Sequence, residues 1–377
     1  MKQLRKFFVL FLFIISGIAQ AKLDATIPVI DMNDYYSKSR HHIFIQDLSK
    51  AMQTVGFVAV INSKVDPKIL DTAYHAAQYF YAKPAQQKSK CQKPALNGQR
   101  GYVQSEMAKG QLQKDYKEFY HISREYPEQI RTQYNYAANI WPEDQSFTLA
   151  MQQLIQELDQ YTAVIESALS ESIGEKSDFL TNMTRHGDFL LRSIHYPANP
   201  PTDTVWAAAH TDIDLFTILP RATAEGLQVK NAQGEWIDVI VPDNAFIINA
   251  GDMLQNITNG VYKSAVHRVI SKNKNVERYS MVAFIHPRPD DRMDPLPKFI
   301  AQIGSRKFAN VTRNELLFER LIDLGLHSPA LLEQFAKSGA ISKLIEVNRA
   351  SQSAMKALRD ANLATPDVLL KLKKYES

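Results

Sequence analysis

The feature that most limits the fold is a series of short β-rich segments between residues 186 and 290. Turn signals separate them at intervals of about ten residues, the spacing expected of an all-β unit. The segments are Phe189–Tyr196, Thr217–Leu219, Gly226–Lys230, Trp236–Val239, Ala245–Asn249, Ala265–Ile270 and Tyr279–His286. Evenly spaced short strands favour a double-sheet jelly roll or a barrel.

Helical patterns flank the β-rich stretch on its N-terminal side. Apolar spacing predicts helices near residues 43–54, 67–83 and 147–172. Residues 27–31 are predicted to form an edge strand, because Pro28 has no N–H to donate to a neighbouring strand. A second strand is predicted over the apolar run Phe57-Val58-Ala59-Val60-Ile61, and the polar residues 88–135 to form loops with short strands.

The C-terminal side is also predicted to be helical, because three helix start signals follow Pro297. Thr312 with Glu315 forms a capping-box pattern. Ser328-Pro329 and Thr365-Pro366 each place an N-cap residue before a proline at the first helical position.

Residues 1–21 have the pattern of a secretory signal peptide. A positively charged start precedes the apolar run Phe7–Ile18, and Ala19-Gln20-Ala21 forms a small-x-small cleavage site. We therefore expect an exported protein, periplasmic or secreted; an uncleaved membrane anchor is the alternative. No later segment is long and apolar enough to predict a membrane span in the mature chain.

Net charge limits the classes of partner to expect, and the cysteine content limits the possible disulfides. The 377 residues carry a formal net charge of +4, and the predicted signal peptide contains three of the cations, so the mature chain would be almost neutral. Such a surface gives no reason to expect a nucleic acid partner. The only cysteine, Cys91, cannot form an internal disulfide. We expect it to be a buried bystander, with a reactive thiol as the alternative.

The first candidate for chemistry is His210-Thr211-Asp212. In an extended strand, residues two apart face the same side, so His210 and Asp212 could converge on one metal ion. Asp214 is a rival ligand, because it would lie on that face if the strand continued. We prefer Asp212 because its reach matches that of His210.

The third candidate ligand is His267, far enough along the chain for several strands to return beside the first. Two histidines and one carboxylate on one side of a metal leave other positions open. That arrangement suits iron(II) that must bind oxygen and a co-substrate together. The alternative is that His267 is an ordinary core histidine.

A candidate anion site follows in the strand beginning at Arg278. Arg278 and Ser280 share one strand face, where a guanidinium and a hydroxyl can hold a carboxylate. Tyr196 shares a face with Arg192 and Ile194 and could add a third hydrogen bond to the same ligand. The alternative is an outward-facing Arg278 in a surface ion pair.

Together these motifs resemble the isopenicillin N synthase-like branch of the 2-oxoglutarate/Fe(II)-dependent dioxygenases. The resemblance covers roughly residues 27–290. The similar stretches are Ile27–Asp31, Val55–Asn62, Gly101-Tyr102, Asp115–Phe119, Leu191-Arg192, Tyr196-Pro197, His210–Asp212, Gly226–Val229, Asn249–Gln255, Asn259–Ser264 and His267–Val269.

The resemblance implies a fold and a reaction. His210, Asp212 and His267 would bind Fe(II), while Arg278 and Ser280 would hold the distal carboxylate of 2-oxoglutarate and Tyr196 would assist near it. A small organic substrate would be oxidised with O2, by hydroxylation or desaturation, while 2-oxoglutarate is converted to succinate and CO2. The implied core is a double-stranded β-helix, that is, a jelly roll. The oligomeric state is left open.

From these patterns we predict a mainly β chain with flanking helices, in four parts. Residues 1–21 are the signal peptide and 22–175 an N-terminal dioxygenase region of helices and short strands. Residues 176–297 form the Fe(II)/2-oxoglutarate jelly-roll core, and 298–377 a helical C-terminal extension. Phe216, Val282 and Phe284 are candidates for an apolar lining of the site.

Two alternatives to this function stay open at the level of sequence. Ile194 stands where many relatives have asparagine, which removes one polar contact near the co-substrate. That change, and the predicted export, would suit an Fe(II) oxidase of isopenicillin N synthase type that needs no 2-oxoglutarate. The second alternative is a non-catalytic metal-binding jelly-roll module.

Overall fold

The computed structural model describes residues 27–105 and 114–376, in which the strands form two sheets. The twelve described strands are β1 (Val29–Asp31), β2 (Phe57–Ile61), β3 (Gly101–Val103), β4 (Glu118–Ser123), β5 (Phe189–Tyr196), β6 (Ala207–His210), β7 (Phe216–Leu219), β8 (Leu227–Lys230), β9 (Trp236–Asp238), β10 (Phe246–Ala250), β11 (His267–Val269) and β12 (Arg278–Ile285). Every β-rich segment predicted from the sequence therefore contains a strand, with bounds shifted by a residue or two.

The larger sheet has eight strands in the order β1-β2-β10-β7-β12-β5-β4-β3, and the smaller has four in the order β6-β11-β8-β9. β1 pairs parallel to β2 at the sheet edge, as Pro28 predicted, and the other pairings among the described strands are antiparallel. Strands from distant parts of the sequence thus become neighbours.

An apolar cluster connects the two sheets. Its buried members come from strands of both, and they include Phe57, Ile194, Ala207, Val229 and Ile247. Because strand side chains alternate between faces, each sheet contributes one face to this cluster. The space between the sheets is therefore lined by side chains from both.

Helices surround the sheets and contain more of the described residues than the strands do. They are α1 (Met32–Tyr36), α2 (His41–Thr54), α3 (Pro67–Tyr81), α4 (Ala85–Ser89), α5 (Glu128–Tyr134), α6 (Gln145–Ser172), α7 (Phe179–Thr184), α8 (Asp252–Ile257), α9 (Pro297–Ile303), α10 (Arg313–Asp323), α11 (Pro329–Ser338), α12 (Ala340–Glu346), α13 (Gln352–Asp360) and α14 (Pro366–Glu376). The prediction of a mainly β chain was therefore too strong, because helical segments dominate both flanks of the β-rich stretch.

The predicted helix starts are confirmed. The Thr312 hydroxyl accepts from the Glu315 N–H while the Glu315 carboxylate accepts from the Thr312 N–H, which completes the capping box of α10. The Ser328 hydroxyl accepts from the Leu331 N–H and caps α11 by that single bond, and α14 begins at Pro366. The division of the chain at residues 175 and 297 stays a prediction.

Three smaller predictions concern the rest of the chain. Cys91 is buried, and burial raises the pKa of its thiol, as expected of a bystander. The predicted signal peptide lies outside the described residues. Within the part of the chain that the structure describes, no helix has the length and apolar character needed to cross a membrane.

Gly56 connects α2 to β2 at a position where no other residue fits. Its φ is +77°, in the left-handed region, and a Cβ added there would lie 2.0 Å from the carbonyl oxygen of Lys263. Gly325 has a similar φ of +70°, but nothing lies within 4 Å of its Cβ position. The two glycines therefore share a backbone requirement and differ in crowding.

We expect Gly56→Ala to destabilise the fold much more than Gly325→Ala. The left-handed backbone should cost each variant about 1–2 kcal/mol. Only Gly56→Ala must also displace a backbone carbonyl. Urea unfolding followed by circular dichroism would measure both free energies. Equal losses would show that the close approach to Lys263 does not matter.

Candidate metal and co-substrate site

Two histidines meet because β6 and β11 are antiparallel neighbours. His210 ends β6 and His267 begins β11, and they are direct partners in the register of the smaller sheet. Their ring centroids lie 4.4 Å apart. A pairing between strands more than fifty residues apart in sequence thus places two imidazoles side by side.

Asp212 reaches the same point from a loop and not from a strand. β6 ends at His210, and residues 211–215 follow as an irregular turn. The expectation of an extended strand through Asp212 is therefore wrong, although the two residues do converge. Three N–H groups at the start of α8, those of Gly251, Asp252 and Met253, fix the loop. They have no partner within the helix and are therefore available to the loop. They bind loop carbonyls: Asp252 N–H to Asp212 (2.9 Å), Met253 N–H to Asp214 (3.0 Å) and Gly251 N–H to Leu215 (3.1 Å).

The three side chains have the geometry of a metal site. Asp212 Oδ1 lies 3.8 Å from His210 Nε2 and 3.7 Å from His267 Nε2, and one ligand atom from each residue lies within 4.8 Å of the others. Metal bonds of about 2.1 Å meeting at 90–110° would separate such atoms by roughly 3.0–3.4 Å. The two carboxylate–imidazole distances would shorten by less than 1 Å around an ion, and the largest separation in the cluster by up to about 1.8 Å.

Hydrogen bonds leave one ligand atom on each residue facing the centre. His210 Nδ1 lies 2.7 Å from the Ala208 carbonyl and His267 Nδ1 lies 3.2 Å from the Ala265 carbonyl. A carbonyl only accepts, so Nδ1 carries the proton and Nε2 keeps its lone pair. Asp212 Oδ2 accepts from Thr217 and Asn249, which leaves Oδ1 as the metal ligand. Such outer contacts are typical of metal sites.

Electrostatics keep His210 and Asp212 in their metal-binding forms. Burial and the neighbouring His267 lower the pKa of His210 to about 3, so His210 is neutral near pH 7. Burial alone would raise the pKa of Asp212. The two imidazoles and the two hydrogen bonds outweigh burial and lower that pKa to about 2. The site therefore contains one carboxylate and neutral His210.

The rival ligand Asp214 lies outside the cluster. It is fully buried, and burial together with the adjacent Asp212 raises its pKa well above the usual range. Its Oδ2 lies 2.8 Å from the Thr217 hydroxyl, which also lies 2.7 Å from Asp212 Oδ2. Protonated Asp214 can donate to Thr217, which then donates to Asp212. Asp214 thereby supports the ligand instead of replacing it.

Beside the triad, β5 and β12 form one wall of a pocket between the sheets. Their register pairs Arg278 with Tyr196 and Ser280 with Ile194, and all four side chains line the pocket together with the triad. Arg278 and Ser280 are only 2% and 1% exposed. Arg278 Nη1 and Ser280 Oγ are buried without a hydrogen-bond partner among the described residues. Arg278 therefore does not form the surface ion pair.

The predicted apolar lining is partly correct. Val282 and Phe284 line the pocket, but Phe216 does not. The irregular residues 211–215 interrupt any strand alternation between the triad and Phe216. Thr217 lines the pocket in its place. Phe216 is fully buried in a second cluster of apolar side chains, separate from the one that connects the two sheets.

Sequence reasoning assigned no role to four polar residues of the pocket. Thr217 and Asn249 hold Asp212, as described above, and Lys117 and Arg192 also line the cavity. Asn249 belongs to the stretch Asn249–Gln255, whose resemblance to the family was noted without a role for this residue. Alternation along β10 does not distinguish a ligand-orienting amide from a core amide, because the acceptor, Asp212, lies in the loop after β6.

Comparison with known proteins agrees with this geometry. Residues 187–287 match the 2OG-Fe(II) oxygenase superfamily, and residues 27–144 match the non-haem dioxygenase in morphine synthesis N-terminal family. A feruloyl CoA ortho-hydroxylase of Ipomoea batatas is 30% identical over 305 residues, which cover 77% of this chain and 78% of the relative.

Solved structures are similar over the same span. A 2OG-Fe(II) oxygenase family protein of Caulobacter crescentus has 30% identity and a TM-score of 0.71, covering 78% of this chain and 98% of its own. A full-length protein of Neurospora crassa, solved in complex with alpha-KG, has 25% identity and a TM-score of 0.70, covering 78% of this chain and 95% of its own.

Two histidines and a carboxylate that face one point define a non-haem iron oxygenase. The chain belongs to the 2OG-Fe(II) oxygenase superfamily, in its isopenicillin N synthase-like branch. It is an Fe(II)- and 2-oxoglutarate-dependent dioxygenase that oxidises small substrates. The assignment of iron to His210, Asp212 and His267 is confirmed, and neither alternative function is favoured.

We expect Asp212→Ala to abolish metal binding and Asp214→Asn to preserve it. Loss of a ligand should weaken binding by more than about 100-fold, beyond the range of groups that only support a ligand. Asparagine resembles protonated Asp214 in shape and can still donate to Thr217. Anaerobic titration with Co(II), followed by absorbance, would measure both affinities. Strong binding by Asp212→Ala, or its loss in Asp214→Asn, would reverse the assignment.

Proposed function

We propose that Arg278 and Ser280 bind the distal carboxylate of 2-oxoglutarate while its keto-acid end faces the metal triad. The observation that carries this proposal is the pair of unpartnered buried atoms, Arg278 Nη1 and Ser280 Oγ, in the pocket of the triad. A buried guanidinium is costly unless an anion meets it, so an anionic ligand is the natural partner.

Neighbouring groups hold the guanidinium in place for this role. Arg278 Nε donates to the Ala224 carbonyl at 3.0 Å, and the Tyr196 ring lies 5.0 Å from the guanidinium carbon. A cation beside an aromatic ring at this distance is attracted to it. We therefore assign Tyr196 the role of supporting Arg278 with its ring, in addition to the predicted assistance near the co-substrate.

We also propose that the two sheets form the double-stranded β-helix of the family around this pocket. The apolar cluster with members from both sheets supports that arrangement. Ile194, at the position where relatives often have asparagine, belongs to this cluster and is 5% exposed. Ile194 would exclude water beside the co-substrate, where an asparagine would bind the co-substrate.

The chemistry follows from the residues of the pocket. With iron and co-substrate bound, the site supplies oxidation of a C–H bond at the expense of 2-oxoglutarate and O2. The chain orients the co-substrate through Arg278 and Ser280, and Val282 and Phe284 keep water away. We propose a small organic substrate, which is supported by the Neurospora crassa structure with alpha-KG and thymine and the JOX2 structure with 2OG, Fe and JA.

We expect Arg278→Ala to weaken 2-oxoglutarate binding by at least about 100-fold, because it removes one partner of a buried charge pair. Ser280→Ala should weaken it about tenfold, through one lost hydrogen bond to a charged group. Anaerobic titration of the Fe(II) protein with 2-oxoglutarate, followed through the visible charge-transfer band, would give both dissociation constants.

Ser193→Ala is a matched control for Ser280→Ala. Ser193 Oγ is likewise buried without a described partner and lies on the adjacent strand β5, but Ser193 does not line the pocket. Ser193→Ala should leave the dissociation constant of 2-oxoglutarate unchanged. Equal effects of the two serine variants, or a charge-transfer band in Arg278→Ala at wild-type affinity, would refute the proposed clamp.

Finally, we propose that the enzyme is exported and cleaved after Ala21, on the strength of the charged start, apolar run and small-residue site of residues 1–21. Expression of the full chain in a bacterium, followed by fractionation and intact-mass measurement, should give a periplasmic or secreted protein that begins at Lys22. A full-length chain in the membrane fraction would support the anchor instead, and an uncleaved chain in neither place would contradict export.

A further inference from the structure

Arg320, on α10 of the helical C-terminal segment, reaches the loop between two metal ligands. Its Nη1 donates to the Thr211 carbonyl at 2.7 Å, and its Nη2 donates to the Thr211 hydroxyl at 3.1 Å. Thr211 separates His210 from Asp212. A residue more than a hundred positions later in the chain is therefore bonded to the backbone that joins two ligands of the iron site.

Asp252 completes a network around the same backbone. Its carboxylate accepts from Arg320 Nη2 at 2.5 Å and from the Thr211 hydroxyl at 3.2 Å, while its N–H donates to the Asp212 carbonyl at 2.9 Å. The side chains of Arg320 and Asp252 are only 16% and 21% exposed. Partial burial of this kind makes an ion pair less screened by water than a surface pair.

Packing alone does not fix the loop on this side. A cavity of about 850 Å³ lies next to the ion pair, and its lining includes Thr211, Asp252 and Arg320. α10 is anchored independently of Arg320, by the capping box at Thr312 and by buried apolar side chains such as Ile322. Arg320 is therefore not needed to form the helix, and it connects the helix to the loop beside an open space.

We propose that Arg320 is a positioning residue of the iron site, which makes the C-terminal helical segment part of the metal-binding machinery. The two Arg320 nitrogens that donate to Thr211 set the direction of the backbone between His210 and Asp212. That direction decides whether His210 Nε2 and Asp212 Oδ1 meet at one ion. The segment thus does more than cover the core.

Metal affinity tests this proposal without relying on turnover. Arg320→Ala in the full chain should weaken anaerobic Co(II) binding roughly tenfold, the lower end of the range for groups that orient ligands. Arg320→Lys keeps the charge but cannot donate to the carbonyl and the hydroxyl in the same planar manner, so it should restore the affinity only in part. Thermal unfolding of each variant without metal reports stability separately.

Arg349→Ala is the matched control. Arg349 lies in the same helical segment and lines the same cavity, and its charge also acts on Asp252. It donates to the Lys307 carbonyl and stacks on Phe308, and among the described residues it makes no hydrogen bond to Thr211 or Asp252. We expect its Co(II) affinity to equal that of the wild type, whatever its thermal stability. Weakened binding in Arg320→Ala with none in Arg349→Ala would support the proposal.

Two results would overturn it. Arg320→Ala could lose thermal stability while binding Co(II) as the wild type does, which would make Arg320 purely structural. Arg320→Ala and Arg349→Ala could also weaken binding equally, which would indicate a general effect of the segment. If Arg320→Ala does not fold, Arg320→Lys and Asp252→Asn decide the matter, because Asp252→Asn keeps the N–H to Asp212 and weakens only the side-chain contacts with Arg320 and Thr211. Unchanged affinity in both would reject the positioning role.

Discussion

The register between β6 and β11 is the constraint on which the whole site depends. It places His210 directly opposite His267, although the two lie far apart in the chain. Strand side chains alternate, so a slip of one residue would turn one imidazole to the other face. The metal site exists only when the strands are paired in this register. The metal site is thus a product of long-range strand pairing and not of a local motif.

The carboxylate is positioned by a different kind of structure. Asp212 lies in a loop, where no strand ladder fixes its backbone, and N–H groups at the start of α8 take over that task. Thr217 and Asn249 then orient the side chain. The loop also explains why the pKa values of Asp212 and Asp214, two residues apart, are shifted in opposite directions. Asp212 lies beside two imidazoles, whereas Asp214 is fully buried near the carboxylates of Asp212 and Asp252.

Residue patterns predicted the elements well and the loop poorly. Period-two alternation found β5 and β12, and capping residues found the starts of α10 and α11, because these signals are local. The three ligands were found through residue type and resemblance. The path of the chain through residues 211–215 was not predicted, because it depends on contacts with α8 and α10 that no local pattern encodes. The misplacement of Phe216 follows from the same gap.

The buried polar atoms of the pocket connect stability to function. Arg278 Nη1 and Ser280 Oγ lack partners in the described chain, and Asp212 is an ionised carboxylate in a buried position. The two unpartnered atoms disfavour the ligand-free fold, since an unsatisfied buried group costs about 1–3 kcal/mol. A protein selected for stability alone would fill these positions with apolar side chains. Their presence fits a site in which the metal and a carboxylate ligand supply the missing partners, so that binding and folding stabilise one another.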